Sequence, residues 1–269
     1  MKKILFSFTA TALLTALAPH ASAHLGYGGR DFGTDPVSVT ITNQAASSQF
    51  GWADATDSDW GDSHRGRFFR FTLSTTASVV ISVTRGGNGT ATGATGIFLP
   101  AFSLYSGLGT LSPKAAGHDS SELSIASRPA GTEGNFRSIS DWSLGNDPTY
   151  NVAGNATSGV LYEAELAYFT YIGNAADGTS ANYGDALGIN GDGLADGYVT
   201  ATFNDLNPGD YSLFVGGANY AAQSVETGPT YPTYAFTATV ETVPEPSTWV
   251  LITMGIGFAG YQLRRRKIA

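Results

Sequence analysis

The sequence predicts an all-β protein, an antiparallel jelly-roll-like β-sandwich. Three observations carry this reading. About eight short runs of β-branched, aromatic and alternating apolar residues recur along the middle of the chain. Turn residues separate them, with 34 glycines and 11 prolines in 269 residues. Aromatic residues make up 12 % of the chain, too many for a disordered segment, so the glycine-rich stretches read as turns. A body of about 220 residues is an ordinary length for one sandwich.

The elements follow in order. Leu25 to Asp31 is a flexible glycine-rich entry. Val37 to Thr42 alternates β-branched residues and reads as a strand. Phe50 to His64 is an aspartate-rich loop. Arg67 to Leu73 and Ser78 to Thr84 are strands, and the short link between them suits an antiparallel pair. Phe98 to Tyr105 is a strand with Pro100 near its start. Ser106 to Ser158 has no sustained period and reads mostly as loop. A loop of that length is unusual in a compact domain, so part of it is expected to pack as an insertion. Val160 to Ile172 mixes a helix-like start with a strand-like Tyr168 to Ile172. Ala175 to Gly197 is an Asp/Asn/Gly loop. Tyr198 to Phe203 is a strand, Asn207-Pro208-Gly209-Asp210 a turn, and Tyr211 to Val215 and Tyr234 to Val240 the last strands.

The two ends carry a different message. Lys2 and Lys3, the apolar Ile4 to Ala18 and the small-residue Ala21-Ser22-Ala23 form a secretory signal peptide over residues 1–23. The body is expected over 24–242. The tail, 243–269, begins with Pro244-Glu245-Pro246, an extended breaker. An uncharged apolar run, 249–263, follows as a predicted transmembrane helix, and Arg264, Arg265, Arg266 and Lys267 close it. That run is about 22 Å long as a helix, short of a hydrocarbon core of about 30 Å. Arginine side chains that snorkel can extend its reach. The basic cluster is expected to stay cytoplasmic, which puts the body outside.

Charge arithmetic sharpens this. Six of the 14 basic residues lie in the two ends, while all 22 acidic residues lie between Asp31 and Glu245. Residues 24–245 therefore carry eight basic against 22 acidic residues, a net −14. Such a surface repels nucleic acid and attracts divalent cations. The chain has no cysteine, so neither disulfides nor a thiol nucleophile contribute.

The order Pro-Glu-Pro, short apolar helix, arginine-rich end resembles the PEP-CTERM sorting signal of Gram-negative surface proteins, also labelled an ice-binding protein C-terminal domain; that label is no evidence of ice binding. The resemblance rests on Pro244, Glu245, Pro246, the run 249–263 and Arg264, Arg265 and Arg266. It implies handling by the secretory translocon and signal peptidase. It also implies a single-pass inner-membrane intermediate processed by an exosortase-type transpeptidase. Its expected destination is the cell surface or extracellular matrix, with a link to exopolysaccharide or biofilm. The strand pattern around Phe69, Phe71, Phe102 and Tyr105, with Asn207-Pro-Gly-Asp-Tyr-Ser-Leu-Phe-Val215, resembles bacterial pre-peptidase C-terminal jelly-roll modules.

Four groups of residues are candidates for chemistry. Asn190, Asp192 and Asp196 place oxygen ligands around glycine turns, and Asp185 stands nearby, a pattern suited to Ca²⁺. The same residues also serve as ordinary turn formers. Trp52 and Trp60 flank Asp54, Asp57, Asp59 and Asp62 and offer faces for stacking on sugars, a polysaccharide-binding rim. Their structural alternative is a cap on the core. Cleavage after Ala23 would expose His24 as an N-terminus, where its amine and imidazole, with His64, suit copper. Glu163 and Glu165 share one strand face, the arrangement a glycosidase needs and more often a solvated surface. No Gly-x-Ser-x-Gly elbow and no His-Glu-x-x-His motif occurs. The expected function is thus an exported, non-enzymatic binding or structural sandwich. The alternative is a metal-dependent carbohydrate-active enzyme.

Overall fold

The computed structural model describes residues 26–52, 60–86, 96–109, 119–121, 135–146, 167–183, 189, 191–220 and 232–243, with 254, 256 and 258. Strands build it. In chain order they are β1 (Asp31–Thr34), β2 (Val39–Ala46), β3 (Trp60–Asp62), β4 (Arg67–Leu73), β5 (Ala77–Arg85), β6 (Pro100–Ser106) and β7 (Asp119–Ser121). Then come β8 (Asn135–Arg137), β9 (Trp142–Asn146), β10 (Ala167–Ala176), β11 (Tyr198–Leu206), β12 (Gly209–Gly217) and β13 (Tyr234–Val243). One sheet has seven strands in the order β1-β4-β12-β6-β10-β9-β7. A second has four, β11-β5-β13-β2, and β3 pairs with β8 in a two-stranded ribbon. Every pairing is antiparallel except β1 with β4. The all-β sandwich is as the sequence predicts.

Alternation explains the first core. Along β4, Phe69, Phe71 and Leu73 point one way; along β5, Val79, Ile81 and Val83 do the same. The register sets Phe69 opposite Leu213 and Leu213 opposite Leu104, so one apolar rung crosses three strands. These side chains meet Val199 of β11 and Phe236, Ala238 and Val240 of β13 between the two sheets. Each large side chain so buried contributes roughly 1.5–3 kcal/mol.

β6 and β12 break the alternation. Their side chains are buried on both faces, the pattern of strands covered on each side. The outer face of the seven-stranded sheet carries Phe68, Phe214 and Tyr105, and a second core covers it. Trp52, Phe136, Trp142 and Phe169 supply that cover. Phe136 sits 4.3 Å from Phe214, and Trp142 stacks on Phe169 at 4.0 Å, ring centre to ring centre. Phe136 and Trp142 come from the stretch 106–158, and its described residues 135–142 pack against the sheet as an insertion. Where the sequence reads mostly as loop, the described residues form β7, β8 and β9. The strand-like half of 160–172 becomes β10, which begins at Ala167 and runs on to Ala176. The predicted flexible entry ends at Asp31, where β1 begins, and β1 is tied to the sheet by Arg70, whose guanidinium lies 2.7 Å from the Asp31 carboxylate.

Candidate functional site

The described part of the Asp/Asn/Gly region forms a compact loop junction at the end of β10. The chain leaves that strand at Asp177, whose N–H donates to the carbonyl of Pro100 (2.9 Å). Gly178 takes φ +125°, a conformation that favours glycine. Asn182 then closes a small turn, its side-chain oxygen accepting from the Thr179 N–H at 2.9 Å. The loop before β11 comes back alongside. Gly191 bridges Ala176 in parallel, Asp192 N–H donates to the Ala176 carbonyl (3.1 Å), and Gly193 N–H to the Gly178 carbonyl (3.2 Å).

Three Asp-Gly pairs shape this junction. Asp192 Oδ1 accepts from the N–H groups of Leu194 (2.9 Å) and Gly178 (3.3 Å), which links the two loops. Asp196 Oδ1 accepts from Tyr198 N–H at 3.0 Å. Asp177 is fully buried, and its two oxygens accept from the Asp196 N–H (3.2 Å) and the Gly197 N–H (2.7 Å). Gly197 has φ +83°, and a Cβ there would lie 2.0 Å from Cδ of Arg85, whose stem crosses it. Burial pushes the Asp177 carboxyl up to about 6; the two N–H donors oppose that shift, and Asp192 and Asp196 add to it. Tyr183 is 2 % exposed, and its hydroxyl has no hydrogen-bond partner. A Cβ on Gly191 would stand 2.1 Å from both that hydroxyl and the Gly178 carbonyl oxygen, so the phenol points into the junction. Burial, then the charges of Asp192 and Asp177, raise its ionisation well above the usual tyrosine range.

The Asp177 shift sets a pH dependence with a definite sign. The folded state holds this proton more tightly than an unfolded aspartate at 3.8. Its contribution is therefore most favourable below about 4, fades as pH rises to about 6, and is absent above. The full span corresponds to about 3 kcal/mol. Asp177→Asn is expected to flatten that part of the stability curve in denaturant titrations between pH 4 and 6.5. An unchanged slope would assign the dependence to other carboxylates.

The other candidates fall in different places. Asp185 and Asn190 lie outside the described residues, as do His24, Asp54, Asp57, Asp59, Glu163 and Glu165. Trp52 is fully buried in the second core, not on a rim. Its indole N–H donates to Ser103 Oγ at 2.8 Å, and its own N–H to the Gly217 carbonyl at 3.0 Å. Only the backbone of Trp60 is described, paired with Arg137. Asp62 holds local structure: it accepts from the His64 N–H (2.9 Å), contacts His64 Nδ1 (2.8 Å) and accepts from Arg65 Nε (3.2 Å). Among the described residues, no three His, Cys, Asp or Glu side chains form a metal-binding group. The sequence reading missed Asp177 and Tyr183. The signal was there in Asp177-Gly178, a turn pair directly after an apolar strand.

The strand β13 ends at Val243, and a short sorting motif overlaps its end. Residues 242–267 match the family of the PEP-CTERM protein-sorting motif. The chain carries this sorting motif. The motif implies export, membrane anchoring and processing by exosortase. Beyond Val243 the structure describes Met254, Ile256 and Phe258, all helical and exposed. Among the described residues no helix is long and apolar enough to cross a membrane. No curated protein matches the chain. Two solved structures are similar at 16 % identity. One is CorA, a surface-associated copper-binding protein of Methylomicrobium album BG8, with a TM-score of 0.45 over 78 % of this chain and 98 % of that one. The other is the secreted protein MopE of Methylococcus capsulatus, whose copper binding an oxidised tryptophan facilitates, with a TM-score of 0.43 over 80 % and 87 %.

Proposed function

We propose that this protein is a non-enzymatic component of the cell envelope or extracellular matrix, with its β-sandwich as the delivered part. The observation that carries this reading is the sorting motif over 242–267. The net −14 over residues 24–245 supports it, since a body poor in lysine and rich in carboxylates resists anionic polymers and holds divalent ions. The signal peptide over 1–23 delivers the chain to the secretory translocon and signal peptidase. The tail holds it in the inner membrane with its C-terminus in the cytoplasm until an exosortase-type transpeptidase acts near Pro244-Glu245-Pro246. Polysaccharide of the surface matrix is the proposed partner.

Fractionation of the producing Gram-negative cell tests this. The processed protein is expected with the surface polysaccharide, and enzymatic digestion of that polysaccharide is expected to release it. Retention of the whole chain in the inner membrane would contradict the matrix role.

A further inference from the structure

The loop junction beyond β10 joins features that a bound cation would reconcile. Asp177 and Asp192 are brought together by hydrogen bonds that tie the 177–178 and 192–197 segments. Asp177 is completely shielded from water, and a buried carboxylate is costly unless charge of the opposite sign meets it. The oxygens of Asp177 each accept one N–H, which leaves further lone pairs for a ligand. The Tyr183 hydroxyl is an independent sign of a missing partner. It is buried beside the Gly178 carbonyl with nothing to bond to, and a buried unsatisfied hydroxyl costs about 1–3 kcal/mol.

We propose that this junction binds a hard divalent cation of the Ca²⁺ class, held by the carboxylates of Asp177 and Asp192 with neutral oxygens from the Gly178 carbonyl and the Tyr183 hydroxyl. The donor set is all oxygen, which suits Ca²⁺ and disfavours soft transition metals. Two carboxylates, rather than three or four, place the affinity in the range of extracellular modules, about 10⁻⁴–10⁻³ M. The site differs from the pattern read in the sequence: Asp177 and Tyr183 enter, from the strand end rather than from the Asn190 to Asp196 run. The proposal stands independently of the sorting reading, since it concerns the body alone. Its consequence is mechanical. A cation here ties the end of β10 in the seven-stranded sheet to the start of β11 in the four-stranded sheet, so it clamps the sandwich at one end.

The test uses the full-length protein, purified in detergent and stripped with EDTA. At a hundredfold excess of CaCl₂ over its Kd, the melting temperature is expected to rise by about 5–10 °C. Asp177→Asn and Asp192→Asn are each expected to abolish that rise, while Asp62→Asn keeps it. Terbium luminescence excited through tyrosine provides a second readout on the unmutated protein. It is expected to appear on Tb³⁺ addition, to be displaced by Ca²⁺, and to fall strongly in Tyr183→Phe. No calcium-dependent shift and no displaceable luminescence at millimolar ion would overturn the proposal. A full shift retained in both aspartate variants would overturn it as well.

Discussion

Trp52→Ala is expected to destabilise the protein by about 3–5 kcal/mol, the range for removing a fully buried large aromatic side chain. The side chain has no exposed surface and lies among Phe68, Phe136 and Phe214 in the second core. Its indole N–H also anchors Ser103, which donates onward to the Ser138 carbonyl at 2.5 Å; Ser138 in turn donates to the Trp52 carbonyl. That closed ring of buried hydrogen bonds fixes the 135–146 insertion to the face of β6. Truncation at Trp52 would therefore open a cavity and break the ring together. Trp52→Phe keeps most of the volume and loses the N–H, for an expected cost of about 1–3 kcal/mol. Chemical denaturation of both variants checks the order. A Trp52→Ala protein of unchanged stability but lost polysaccharide retention would return this residue to a binding rim.

The same tryptophan shows what a sequence can and cannot disclose. β5, β11 and most of β13 were legible because one face is buried and the other is not, so period-two alternation survives in the residues; β4 keeps it from Phe69 to Leu73, although Phe68 is buried on the other face. β12 was legible as a strand, yet its second buried face was not. A run such as Tyr211-Ser-Leu-Phe-Val215 does not say what covers Phe214. The cover comes from Phe136 and Trp142, on strands of three and five residues, too short for any period to emerge. Trp52 lay beside aspartates in the sequence and beside phenylalanines in space. The candidate site divides in the same way. Asp192 and Asp196 announce themselves by glycine spacing. Asp177 stands 15 residues before Asp192 and joins them only because β10 and β11 begin and end at one edge of the sandwich. Tyr183 is one tyrosine of 13, and only its unmatched hydroxyl sets it apart.

Deletion of Pro244 to Ala269 is expected to abolish membrane association and surface sorting completely while leaving the folding transition of the body unchanged. The reason lies in where β13 stops. This strand is interior to the four-stranded sheet, between β5 and β2. Its pairing with β5 continues to Val243 opposite Ser78, and Thr242 N–H donates to the Pro36 carbonyl at 2.7 Å. The next residue, Pro244, has no N–H to donate to the ladder. A cut after the Pro-Glu-Pro thus leaves every paired residue of β13 in place. A second variant separates a handle from a permanent anchor. Pro244→Ala combined with Pro246→Ala keeps the apolar run and the basic end, so it is expected to hold the protein in the inner membrane with its tail uncleaved. Western blotting of fractions with an antibody against the body reads both outcomes, and a tag after Ala269 in the double variant reports the uncleaved tail. Unchanged fractionation of the deletion would contradict the sorting role. Normal release of the double variant would show that cleavage does not need the Pro-Glu-Pro breaker. A deletion that unfolds the body would mean the tail contributes to the sandwich, against the completed pairing of β13.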